Sequence, residues 1–109
     1  MEGLELICFQ IISSVGTAKS MFIEAAKLAQ NYEFEKAQSM IDEADDVMLK
    51  GHEAHASLIQ QEAGGQPVHP TMLLMHAEDQ LMAAENFKSF AEQQIVIFKK
   101  FQTLENKLG

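Results

Sequence analysis

The sequence predicts an all-α protein, an antiparallel three-helix bundle. Three observations predict it. Apolar residues recur at spacings of three and four through three long segments, only two breaks interrupt them, and no stretch alternates with the period of two that a half-buried strand needs. Short links between long amphipathic helices set consecutive helices antiparallel.

The first helix is expected over residues 3–30, where Leu4, Cys8, Ile11, Val15, Ala18, Phe22, Ala26 and Ala29 make one face. Gly16 weakens its middle slightly. The break is NYEF at 31–34, with Asn31 expected in the left-handed position that ends a helix. The second helix is expected over 34–63 with a stripe of Ala37, Ile41, Ala44, Met48, Gly51 and Leu58, and acids largely off it. GGQPVHP then forms the one obvious loop. The third helix is expected over 70–108, with Pro70 at the first helical position, where its missing N–H would be unpaired in any case. Residues 1–109 make one domain with one modest core.

Composition narrows the function. Eight Lys plus Arg face sixteen Asp plus Glu, a formal charge of −8, so phosphate backbones and anionic lipid are poor partners. Apolar residues make up 47%, which argues against disorder. A single cysteine, Cys8, excludes an intramolecular disulfide and reads as a small buried hydrophobe. The apolar run LICFQII has seven residues, far short of the ~20 that span a bilayer, and it lacks the flanks of a signal peptide. The cytoplasm is the expected compartment.

The third helix carries one stripe too many. Leu74, Ala77, Leu81, Ala84, Ala91, Ile95 and Phe98 suffice for a core face. Beside them Met75, Met82, Ser89 and Val96 recur every seven residues, and so do Met72, Asp79, Asn86, Gln93 and Lys100. In a heptad the first row is d and the second is a. A seven-residue repeat stays on one seam of a supercoiled helix, so this seam either meets copies of itself or faces solvent. If it self-associates in parallel, Asn86 and Gln93 hydrogen-bond across the axis, while the Asp79 carboxylates repel one another. That repulsion is relieved by a proton or by a cation, for which Mg²⁺ or Ca²⁺ suits oxygen-only ligands. His76 falls at e, beside the seam, where an accessible imidazole can act as nucleophile, ligand or acid/base.

The other histidines carry weaker signals. His52 and His55 in GHEAH lie three apart on one helical face. They can chelate a metal or, more simply, make an interhelical hydrogen-bonding pair or a solvated pair. Their spacing excludes the HExxH zinc-protease pattern. His69, between Val68 and Pro70, belongs to the loop.

ELICFQIIS near the start, the GG…P loop, LLMHAEDQLM opening the third helix and the polar seam beyond it together resemble the lactose/cellobiose class of enzyme IIA of the bacterial phosphotransferase system. The resemblance covers nearly the whole chain. It implies a homotrimer whose third helices meet as a parallel coiled coil. It implies that His76 carries a phosphoryl group, taken from the phosphocarrier protein HPr and passed to a cysteine of the sugar-specific enzyme IIB. It also implies that Asp79 of each protomer holds a divalent cation, such as Mg²⁺, at the trimer axis. The usual family run is HAQDHLM, whereas this chain reads HAEDQLM, with Glu78 for an amide and Gln80 for a second histidine. Both are groove residues in this reading. A carboxylate at Glu78 either repels a phosphoryl group or orients the imidazole, and Gln80 offers an amide N–H in place of the lost histidine. The departures leave open a non-catalytic, regulatory trimer of the same fold.

Overall fold

The computed structural model describes residues 3–109. Three helices follow one another, α1 (Gly3–Gln30), α2 (Phe34–Ala63) and α3 (Met72–Leu108). They form a rod of 62 × 22 × 20 Å. α1 is the central helix. It packs along both α2 and α3, which touch one another far less. The periodic faces supply the core: Cys8, Ile11, Val15, Ala18 and Phe22 of α1 meet Ile41, Ala44 and Met48 of α2 and Ala77, Leu81 and Ala84 of α3. Every buried side chain among the described residues is apolar.

Gly51 is a close-packing residue. A Cβ built there would stand 2.8 Å from both Ser14 Oγ and Val15 Cγ1, so only glycine lets α2 lie this close to α1.

Both helix–helix breaks end in the same hydrogen-bond motif. After α1, the Glu33 N–H donates to the Leu28 carbonyl at 2.9 Å and the Tyr32 N–H to Ala29 at 3.0 Å. After α2, the Gln66 N–H donates to Gln61 at 3.0 Å and the Gly65 N–H to Glu62 at 3.1 Å. Each pair is a Schellman closure, which needs a left-handed residue just past the helix. Gly65 fills that place at φ 91°. At the first break the left-handed residue is Tyr32, φ 64°, and not the expected Asn31. The helix ends at Gln30 as expected, the left-handed residue falls one position later, and the ring of Tyr32 packs on Phe34 with centroids 5.9 Å apart.

α3 starts two residues later than expected. Thr71, in extended conformation, is the N-cap, and its side chain accepts from the Leu74 N–H at 3.1 Å. Pro70 therefore precedes the helix. A hydroxyl that satisfies an otherwise orphaned N–H outcompetes the proline start.

The LICFQII run also understated α1. The whole helix is long and apolar enough, by length and composition alone, to span a bilayer. Here its apolar stripe is covered by α2 and α3, which accounts for its composition without a membrane.

Candidate functional site

α1 and α3 run parallel, since α2 reverses the chain between them. The first turns of α3 thus lie at the same end as the start of α1 and the end of α2. Thr71 fixes the first turn of α3, and His76 sits in the second. Ala77 and Leu81, buried against the core, set the rotation of this segment. That rotation leaves the His76 ring in solvent, with no hydrogen bond to it from any described residue. An exposed ring on a rigid, packed helix can be reached by another folded protein, as a transferable group requires.

The a and d rows form an uncovered stripe along α3. Met72, Met75 and Met82 are 82%, 58% and 63% exposed, large values for apolar side chains. Asp79, Asn86, Ser89, Gln93 and Val96 are exposed along the same stripe. His76 borders it, and Asp79 stands within it. A single chain thus offers one carboxylate, Asp79, on this stripe. Among the described residues no cluster of three or more His, Cys, Asp or Glu could hold a metal ion. Oxygen ligation at Asp79 fits a hard cation only if further copies of the chain bring their own Asp79 to the same point.

Glu78 and Gln80 are half-buried. Side chains two apart on a helix do not face one another, and Glu78 turns away from His76 within its own chain. It reaches α2 instead, where His55 Nδ1 lies 2.6 Å from one carboxylate oxygen and 2.8 Å from the other. A carboxylate accepts, so the proton of this bond is on Nδ1. One turn earlier on α2, His52 Nε2 lies 3.6 Å from Glu85. Lys88 is 2.8 Å from Asp45, and that hydrogen bond holds its ammonium above the usual range. The α2–α3 contact is therefore laced by polar pairs, whereas α1 meets both partners mainly through apolar side chains, with one amide pair to α3, Gln30 donating to Gln94 at 3.0 Å. The interhelical reading of His52 and His55 is the one this geometry favours; a shared metal would need both rings released from their acids.

Cys8 sits at the same end, fully buried. Burial pushes its thiol pKa up, and the charges of Glu78 and Glu5 push it the same way. A thiol so disposed is unreactive. His69 remains in the loop, its carbonyl accepting from the Thr71 N–H at 2.9 Å. An open groove of about 1030 Å³ runs between α1 and α2, past Leu6, Phe9, Val47 and Lys50, and neither His76 nor Asp79 lines it.

The expected site residues thus divide. His76 and Asp79 lie on the exposed stripe of α3, while Glu78 is tied to α2. The cross-helix partner of Glu78 was missed by sequence reasoning. Acids at 78 and 85 opposite histidines at 55 and 52 were the available signal, but only the register of α2 against α3 pairs them.

Known proteins resemble the chain over most of its length. The family model described as PTS system, Lactose/Cellobiose specific IIA subunit matches residues 6–99. The chain is 36% identical over 99 residues to the lichenan-specific phosphotransferase enzyme IIA component of Bacillus subtilis, covering 91% of this chain and 90% of that protein. It is 31% identical over 99 residues to the lactose-specific EIIA component of the phosphotransferase system of Staphylococcus epidermidis, covering 91% and 95%. The crystal structure of the cellobiose-specific enzyme IIA from Bacillus anthracis superposes with a TM-score of 0.89 at 33% identity, covering 94% of each chain.

Proposed function

The chain belongs to the lactose/cellobiose-specific IIA family of the phosphotransferase system, and from that premise we propose that it carries a phosphoryl group on His76 between HPr and enzyme IIB. Membership makes it a phosphotransferase component. The observation that supports His76 as the carrier is its place: an exposed imidazole on a helix turn fixed from behind by Ala77 and Leu81.

The chemistry asks little of the protein. A ring nitrogen of neutral His76 attacks phosphorus in line, the new N–P bond forms, and the N–P bond to the donor imidazole of HPr breaks. Donor and acceptor are alike, so the step is nearly balanced and reversible. The cysteine thiolate of enzyme IIB then takes the phosphoryl group, forming an S–P bond while His76 leaves as neutral imidazole. The sugar phosphorylated in the end is of the lactose or cellobiose type. Positioning supplies most of the rate.

The stripe beside His76 supports assembly as a homotrimer, with the third helices in a parallel coiled coil. Met75 and Met82 at d, and Met72 at a, would then leave water. Asn86 and Gln93 would bond across the axis. Three Asp79 carboxylates would converge and hold a divalent cation, Mg²⁺ being the natural choice. That cation offsets their mutual repulsion and takes no part in transfer. Protein partners are HPr, enzyme IIB and two further copies of the chain, and the compartment is the cytoplasm.

The test is phosphoryl transfer from phosphoenolpyruvate through purified general phosphotransferase components, read by intact mass. Wild type is expected to gain one acid-labile phosphoryl group per chain and His76→Ala none, with assembly unchanged. A well-folded wild-type trimer that gains nothing would overturn the carrier reading and leave the regulatory trimer.

A further inference from the structure

We propose that His55 is a positioning residue for the phosphoryl site of the neighbouring protomer, holding Glu78 back from that protomer's His76. The inference rests on the trimeric carrier reading above and adds a role for a residue that reading does not use.

In the heptad of α3, His76 is e and Glu78 is g. Within one chain the two point to different flanks of the seam. In a parallel coiled coil, however, the g row of one helix lies against the e row of the next. Each groove between protomers is then walled by His76 of one chain and by Glu78 of its neighbour. A free carboxylate on that wall would face a phosphoryl group of like charge and slow its arrival.

The structure contains the remedy. His55 of α2 reaches both oxygens of Glu78, at 2.6 and 2.8 Å, and the two side chains keep 35% and 30% of their surface. The donor N–H occupies the carboxylate from the α2 side, away from the seam. Glu85, the next g residue, is drawn the same way by His52, though at a looser 3.6 Å. These two g acids are therefore turned toward α2. In family terms, Glu78 in place of the usual amide is accommodated by His55.

The experiment compares initial rates of phosphoryl uptake from phosphorylated HPr. The variants are His55→Ala, the double variant His55→Ala/Glu78→Gln and His55→Asn, whose amide N–H stands where Nδ1 did. His55→Ala is expected to slow uptake by roughly three- to tenfold, the scale of one unscreened like charge near the groove. The double variant and His55→Asn are expected near wild type. The decisive arm mixes His55→Ala chains with an excess of His76→Ala chains in shared trimers. Each reactive His76 then faces an intact His55–Glu78 pair on its neighbour, and its rate is expected to recover. Slow uptake that persists in the mixed trimers places the effect within one chain and overturns the proposal. So does an unchanged rate in His55→Ala. Failure of the carrier reading is separate, because it appears in wild type alone as no uptake at all.

Discussion

The two sides of α3 differ in what they are for. On one side Ala77, Leu81, Ala84, Ala91 and Ile95 are buried against α1 and α2. On the other, Met72, Met75, Asp79 and Met82 stand in solvent, with His76 at their border. Both rows have helical periodicity and both contain large apolar side chains. The first is consumed in folding one chain. The second is left uncovered by the chain's own bundle, and in the proposed trimer it is the surface that joins chains. Periodicity places a residue on a face, while the supply of partner helices decides whether that face folds the chain or joins chains.

Truncating one side at a time puts this contrast at risk. Leu81→Ala removes a buried side chain from the junction of the helices and is expected to cost the fold about 2–5 kcal/mol. Met82→Ala, one residue away, is expected to change chain stability by less than about 0.5 kcal/mol in conditions where the protein is monomeric. It should instead raise the concentration at which copies assemble. Denaturant melts and sedimentation on both variants read the difference, and equal destabilisation by the two would erase the distinction between the faces.

Two glycines extend the same point to α1 and α2. An alanine at Gly51 meets Ser14 and Val15 at 2.8 Å, so Gly51→Ala is expected to destabilise by about 1–3 kcal/mol. A Cβ at Gly16 would meet nothing within 4 Å, so Gly16→Ala is expected to stabilise the helix by up to about 1 kcal/mol. Thermal melts of opposite sign are the result that fits.

The smallest effect concerns Cys8. The folded chain holds this thiol proton at pH values where the unfolded chain has already released it, because its pKa is raised by burial and by Glu78 and Glu5. Stability should therefore fall as pH climbs from the ordinary thiol range toward the raised folded value. In the native protein iodoacetamide should label Cys8 slowly, and rapidly once denaturant is added.

Much of this was legible in the residues. The three stripes named the core because α-helices repeat every 3.6 residues whatever surrounds them, and Cys8, Phe22, Met48 and Leu81 all lie where the stripes put them. The heptads picked out the exposed stripe for the same reason. Ends were less legible. Pro70 and Asn31 were reasonable choices for the ends, but Thr71 and Tyr32 took those roles, since an N-cap is settled by which N–H needs an acceptor and a C-terminal closure by which carbonyls need a donor. The least legible feature was the bond from His55 to Glu78. It depends on how far α2 slides along α3, and that register is set by core packing and by the loop between them, neither of which leaves a local pattern.

Whether the leftover face of α3 joins three chains is decided by the mass of the assembly in solution, measured by sedimentation equilibrium on wild type and Asp79→Leu. Three copies of the 12.2 kDa chain are expected in both. A chelator is expected to weaken the wild-type assembly and to leave Asp79→Leu unaffected. Monomers of wild type at micromolar concentration with divalent cation present, or dissociation caused by Asp79→Leu, would contradict the trimer and its axial carboxylates.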